Sequence, residues 1–269
     1  MDIGVSTACF YPMETEKALK YLGESGVKTT EIFLNSLSEV TSPFIKNLKE
    51  IADFYGINVV SLHPFSSFAE SFMLFSDYKR RFFDTKEFYK KYYDACNILE
   101  AKYLVIHGDM KTNHISDEEY FDRFALMMKD GKDSGIQVVQ ENVNRYRSDS
   151  PEFLRKMKDY IGNDLKFVLD IKQAVRSGHD VYEFVNAIGR DVVHIHISDN
   201  KKGFDCLIPG DGDFDFKYFV KEMDKLNYCG DFIVEVYCNC FAENNQVIIK
   251  YKLFRNRIMF ENVWNHNID

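Results

Sequence analysis

The sequence predicts a (β/α)8 barrel that uses residues 1–269 as a single domain. Three observations lead there. Short Val/Ile-rich runs recur along the chain. Amphipathic stretches of helical period separate them. No glycine-rich loop follows the first run, so the competing open, doubly wound sheet lacks its usual signal. A length of 269 residues suits one such barrel, which typically takes about 250.

The short runs are Ile3–Thr7, Thr29–Leu34, Asn58–Leu62, Tyr103–Ile106, Gln137–Gln140, Phe167–Leu169, Val192–Ile197 and Phe232–Val236. Each has the length and β-branched content of a buried parallel strand. After the first run come Ala8-Cys9-Phe10-Tyr11-Pro12, and the chain contains neither G-x-G-x-x-G nor a P-loop, which disfavours nucleotide binding by those routes. Ala18, Leu19 and Leu22 mark the first helix, ahead of Gly23 and Gly26. Phe44, Ile45, Leu48, Ile51 and Ala52 share one face of the second, which Gly56 stops. Ser116 with Glu119 reads as a capping box, and Ser150-Pro151 as an N-cap followed by proline at the first helical position. Tyr182, Val185, Ala187 and Ile188 precede Gly189; Phe216, Phe219, Val220 and Met223 form a later stripe; Val247 to Trp264 reads as a closing helix.

Composition narrows the class. Hydrophobic residues at 45% and charged residues at 28% give a chain able to build a core, which excludes global disorder. The net charge of −8 opposes unaided binding to a phosphate backbone. No run approaches the roughly 20 apolar residues of a membrane span, and Met1-Asp2-Ile3-Gly4 lacks the basic start of a secretory signal. The six cysteines are scattered without zinc-finger spacing, so reduced thiols and a cytoplasmic location are expected.

Barrel enzymes carry their chemistry at the C-terminal ends of the strands. From the third run onward those ends are His63, His107, Glu141, Asp170, His196 and Glu235. A single histidine or carboxylate at such a place is usually a satisfied core group or a helix cap. Six in succession are harder to dismiss. Period-two alternation puts Val139 with Glu141, Val192 with His194 and His196, and Ile233 with Glu235, so the ends converge if those faces point inward. Crowded carboxylates repel and are costly to bury unpaired, a conflict a divalent cation resolves. Glu141, Asp170, His196 and Glu235 make a hard, mostly oxygen set suited to one Mn2+ or Mg2+, with Co2+ or Zn2+ also accepted.

At these residues the chain resembles the xylose-isomerase-like TIM-barrel superfamily of sugar phosphate isomerase/epimerase type. The likeness runs over nearly the whole chain. Its most specific pieces are Gln140-Glu141-Asn142-Val143-Asn144-Arg145, Leu169-Asp170-Ile171-Lys172-Gln173-Ala174, His194-Ile195-His196-Ile197-Ser198-Asp199, Pro209-Gly210-Asp211-Gly212 and Val234-Glu235-Val236-Tyr237. The resemblance implies that Glu141, Asp170, His196 and Glu235 bind one catalytic metal and that the two glutamates also move protons. It implies that His63 and His107 line the site. The chain departs from the pattern at Gln173, where a histidine is expected, and at Lys201 and Lys202, where epimerases carry arginine. Phe204-Asp205-Cys206 replaces an Asp-x-His pair, which disfavours the trinuclear zinc centre of the superfamily's DNA-repair nucleases.

The function expected is a divalent-metal-dependent isomerase or epimerase of a sugar or sugar derivative. It would act through a metal-stabilised enediolate, with Glu141 and Glu235 as acid and base. Asn144, Gln173 and Lys202 join His63 and His107 as candidate substrate contacts. For Arg145 a salt bridge on the rim is as good a reading. Phe65, Phe68, Phe72 and Phe75 share a 3-4-3 spacing, read as one helical face that either packs inward or covers the sugar. The alternatives are a lyase of the inosose-dehydratase type and a catalytically silent sugar- or metal-binding barrel. The expected partner is a small-molecule carbohydrate, with no nucleic acid and no membrane; homo-oligomerisation is left open.

Overall fold

In the computed structural model, which describes residues 1–260, eight parallel strands close into a barrel. They are β1 (Ile3–Ser6), β2 (Thr29–Phe33), β3 (Asn58–His63), β4 (Tyr103–Ile106), β5 (Gln137–Glu141), β6 (Lys166–Asp170), β7 (Val192–Ile197) and β10 (Asp231–Val234). β10 closes the ring by pairing with both β7 and β1. Between β7 and β10 the chain makes an antiparallel hairpin, β8 (Asp199–Lys201) and β9 (Phe204–Leu207), outside the barrel sheet. The eight strand runs read from the sequence are the eight barrel strands; the hairpin is an addition. No helix among the described residues is long and apolar enough to cross a membrane.

The helices are α1 (Thr15–Glu24), α2 (Ser42–Tyr55), α3 (Glu70–Met73), α4 (Lys79–Leu99), α5 (Asp117–Asp133), α6 (Pro151–Ile161), α7 (Ile171–Arg176), α8 (Val181–Ile188), α9 (Phe216–Lys225) and α10 (Asn244–Phe260). Their ends obey local chemistry. Gly56 stops α2 in the left-handed conformation at φ 61°. Ser116 Oγ accepts the Glu119 N–H at the start of α5, and Ser150 caps α6 with Pro151 in its first turn. The closing helix is described as far as Phe260, so Trp264 lies outside the described residues.

α4 was not anticipated. Its 21 residues bury Tyr89, Tyr92 and Tyr93 against the barrel, and their hydroxyls are answered inside. Ser66 Oγ lies 3.3 and 3.1 Å from the Tyr89 and Tyr92 hydroxyls, and Tyr93 donates to the Met127 carbonyl at 3.1 Å. The phenylalanine segment after β3 is not one helical face. A 3-10 turn at Ser67–Ala69 and the single turn of α3 split it. Phe75 is buried and stacks on Tyr120, Phe65 packs against Phe88 and Tyr92, and Phe68 and Phe72 face solvent.

The core has two shells. The larger lies between strands and helices. The smaller, Val105, Val139 and Val168, fills the barrel interior. Two residues beyond each of these valines stand His107, Glu141 and Asp170, so the pleat sets a polar layer on an apolar plug. The expected alternation fails at one place. Val192 packs in the outer shell and Val193 against the plug, because the β6–β7 register shifts at Phe167/Val168. His194 and His196 still point inward. Cys9, just after β1, ties down the closing strand: its thiol donates to the Val234 carbonyl at 3.3 Å and accepts the Val236 N–H at 3.4 Å.

Candidate metal centre

His63, Glu141 and Asp170, which end β3, β5 and β6, meet at one mouth of the barrel with His196 near the end of β7 and with His107 and Glu235 just past β4 and β10. Nδ1 of His196 is the hub. It lies 3.2 Å from Glu141 Oε1, 3.2 Å from Glu235 Oε2 and 3.5 Å from Asp170 Oδ2. His107 Nε2 approaches Glu141 Oε2 to 3.1 Å, and His63 Nε2 stands 4.0 Å from the same oxygen. His63 stacks on Phe33, with ring centroids 5.0 Å apart.

Local sequence fixes these positions. α7 begins directly at the end of β6, and Asp170 caps it, with Oδ1 accepting the Gln173 N–H at 2.9 Å. Oδ2 is thereby left facing the centre. Asn142 clamps the Asp170 backbone from β5, accepting its N–H at 2.7 Å and donating to its carbonyl at 2.9 Å. Gly108, after His107, has φ 93°, and a Cβ there would meet the Tyr120 hydroxyl at 2.2 Å, so only glycine fits. Below the centre, Glu31 of β2 answers the far side of His196. Its Oε2 lies 3.0 Å from His196 Nε2, 3.1 Å from His194 Nε2 and 2.7 Å from the donating Ser61 hydroxyl.

Burial and mutual charge set the protonation states. Burial raises the Glu141 carboxyl, but His107 and His196 outweigh it and hold the group well below the usual carboxylate range. Glu235 is likewise raised by burial and lowered further by the charges of Lys172 and His196. For Asp170 burial prevails over Lys172, and its pKa rises. Burial alone would depress His196; Glu31, Glu235 and the neighbouring acids override it and raise the imidazole strongly. Burial depresses His63 despite Glu31 and Glu141.

Four of the expected residues therefore converge: Glu141, Asp170, His196 and Glu235 each offer a donor atom, all within 4.8 Å of one another. Two overlapping sets meet the same condition, Glu31/His63/His196/Glu235 and His63/His107/Glu141. The donors fit a divalent cation. Three carboxylates meet one imidazole edge, and both ring nitrogens of His63 are buried without a hydrogen-bond partner. Asn144 and Gln173 sit together on the rim, where Gln173 Oε1 accepts the Asn144 N–H at 3.1 Å. Gln173 thus ties the loop after β5 to the first turn of α7. Lys202 lies in the exposed turn between β8 and β9. Arg145 is exposed, with φ 71°.

Three residues of this neighbourhood were not singled out from the sequence. Lys172 is buried, donates to Glu235 Oε2 at 2.9 Å and touches Asp170 Oδ2. Burial lowers its pKa, and Asp170 and Glu235 raise it well above the ordinary lysine value. Glu31 is a charge inside an apolar strand run, and that was a readable signal. Glu70 of α3 is buried behind His107. It accepts the Gly108 N–H at 2.7 Å and the Tyr89 hydroxyl at 3.0 Å, and burial pushes its carboxyl up to about 7.

A closed eight-stranded barrel with acids and imidazoles at the strand ends defines the class: a TIM barrel. The chain belongs to the xylose isomerase-like TIM barrel family, whose model matches residues 19–255. It is 24% identical over 249 residues to an uncharacterized protein of Methanocaldococcus jannaschii, covering 87% of this chain and 83% of that one. Among solved structures it is similar to a D-tagatose 3-epimerase-like protein, with TM-score 0.80 and 21% identity over 97% of this chain and 98% of the other. It is also similar to the IolI protein determined with a bound zinc atom, with TM-score 0.77 and 16% identity over 97% and 99%. Those structural likenesses establish the fold.

Proposed function

We propose that this protein is a divalent-metal-dependent isomerase or epimerase of a small sugar or sugar derivative. One observation carries the reading. Glu141 and Glu235 reach the same imidazole edge, each 3.2 Å from His196 Nδ1, from strands that flank β6 and β7 in the barrel order. A carbon acid held between them meets a carboxylate on each flank. Both carboxyls are held in the ionised form, which a proton acceptor requires. One glutamate removes the proton next to the substrate carbonyl. For isomerisation the same glutamate, now protonated, gives that proton to the neighbouring carbon; for epimerisation the other glutamate gives a proton to the opposite face after taking one from solvent, and the first releases its own to solvent.

Asp170 and His196 complete the donor set for the ion, together with the two glutamates. A divalent ion held there supplies a Lewis acid for the oxygens of an α-hydroxy ketone. Manganese or magnesium suits three carboxylates and one imidazole, and zinc or cobalt is also accommodated. His107 and His63 border Glu141 and give the sugar's hydroxyls polar partners, with Asn144 and Gln173 on the rim. Lys202, in its exposed turn, reaches the substrate only if the hairpin folds inward. An unphosphorylated sugar or polyol derivative is the preferred substrate, because the lysines after β7 are exposed.

The test is exchange. Protein loaded with Mn2+ is incubated with a panel of ketoses and inososes in deuterated water and followed by NMR. Deuterium entering the carbon beside the carbonyl, with appearance of the epimer or aldose, supports the reading. A new enone absorbance with loss of water assigns a dehydratase instead. Metal uptake with no exchange in any sugar turns the reading toward a silent binding barrel.

A further inference from the structure

We infer that Lys172 is a resident cation of the centre. It holds the Asp170–Glu235 edge of the carboxylate cluster together before any metal arrives, and it weakens the affinity with which the cluster takes a divalent ion. The inference rests on the metal-site reading above and deepens it.

The geometry is specific. Lys172 is 1% exposed, an extreme for a lysine, which is almost never buried unless paired. It is paired twice. Its ammonium donates to Glu235 Oε2 at 2.9 Å and is in contact with Asp170 Oδ2. Those two oxygens are the ones that stand 3.2 and 3.5 Å from His196 Nδ1. The ammonium and an incoming cation therefore ask for the same lone pairs. The lysine has little room to withdraw. It sits in the first turn of α7, which starts without a loop at the end of β6, and the Tyr237 ring lies 5.3 Å from its Nζ. The guanidinium carbon of Arg176 lies 4.7 Å from the centre of the same ring, and Asp205 of the hairpin neutralises that group through two hydrogen bonds of 2.8 and 3.0 Å. Lys172 is thus the ammonium that faces the acids, and Arg176 is spent elsewhere.

Two roles for such a group have opposite signatures. A lysine that merely orients the ligands should, when removed, weaken metal binding by about 10–100-fold, as other outer-shell partners do. A lysine that stands in for the metal should, when removed, strengthen it, because a like charge a few Å away is gone.

The experiment compares metal-stripped wild type, Lys172→Met, Glu235→Gln and the Lys172→Met/Glu235→Gln double variant. Mn2+ affinity is read by calorimetry, and the thermal midpoint is read in chelator. The expected result is Mn2+ binding at least about tenfold tighter in Lys172→Met. In chelator that variant should melt at least about 5 °C lower, with Mn2+ restoring the loss. The double variant should recover part of the loss without metal. If Lys172→Met does not fold, the double variant is compared with Glu235→Gln and should bind Mn2+ more tightly. Wild type that binds Mn2+ no less tightly than a natively folded Lys172→Met overturns this inference and leaves the metal reading standing. Binding by Lys172→Met alone upholds the inference and withdraws the metal reading for the natural chain. No binding by either removes both.

Discussion

Two groups of carboxylates lie one above the other inside this barrel, and they differ in what answers their charge. Glu31 is fully met by protein: Ser61, His194 and His196 all reach its Oε2 within 3.1 Å. Two residues further along the strands, Glu141, Asp170 and Glu235 share one imidazole edge and one ammonium. A carboxylate saturated by fixed donors is scaffold. On the reading proposed above, the cluster is where a divalent ion is held. The same residue types serve both ends because the pleat sends alternate side chains to successive layers.

The comparison breaks most sharply at Glu31. Replacing it with alanine leaves two buried histidines without their acceptor, and about 3–5 kcal/mol of stability should be lost. A denaturant midpoint that falls with unchanged slope would show it; a midpoint within error of wild type would mean the lower layer is not scaffold.

Glu70 sharpens the contrast with a third situation, a buried carboxyl answered by a peptide N–H and a phenol and by no ammonium or guanidinium. Its folded pKa of about 7 lies above the reference value of 4.5. The native state therefore holds this proton more tightly than the unfolded chain does. The stability it contributes is full below pH 4.5 and is lost as pH rises through 7. Glu70→Gln should be more stable than wild type at pH 8 by up to about 3 kcal/mol and should lose that advantage near pH 4. Parallel melting curves for the two proteins between pH 4 and 8 would contradict it.

In the upper layer the expected effect is on rate. Glu141→Gln or Glu235→Gln should lower turnover of the active sugar at least about 100-fold, the low end of acid–base catalysis. Near-normal turnover in both variants would sink the proton-transfer assignment. The smallest effect belongs to the rim. Phe68 and Phe72 are exposed, so alanine at either should change stability by no more than about 0.5 kcal/mol. A rise in KM without a shift in melting would make them a cover for the sugar. Unchanged KM would leave Phe72 as a partner for Arg81, whose guanidinium lies 3.8 Å from the ring centroid.

Much of this was legible in the sequence because barrel strands are short, apolar and punctuated. The six polar strand ends could be read as one site since a parallel barrel sends every strand's C-terminus to the same rim. The residues that escaped notice are those whose meaning lies in through-space charge. Lys172 follows Asp170 by two positions in a helix turn, where lysines are ordinarily solvated; its partner Glu235 is 63 residues away. α4 hid because its buried face is made of tyrosines, whose hydroxyls need specific acceptors that sequence spacing does not reveal. The β8–β9 hairpin is short and largely exposed, so it offers no alternating run. The phenylalanine spacing misled since one helical period is also met by a turn, a single helical turn and a loop in succession.

The thiol of Cys9 that ties down the closing strand has a consequence for labelling chemistry. Burial pushes it up to about 12, and does the same to Cys206, so neither supplies thiolate at neutral pH. Cys96 is also buried, while Cys229 and Cys238 are exposed and Cys240 is partly so. A maleimide dye should therefore sort the six sulfurs by position alone. It leaves the barrel seam untouched and attaches at Cys229, ahead of β10, and at a rim that begins with Cys238, three residues past Glu235; with Cys229 replaced by serine, its emission reports what enters the mouth.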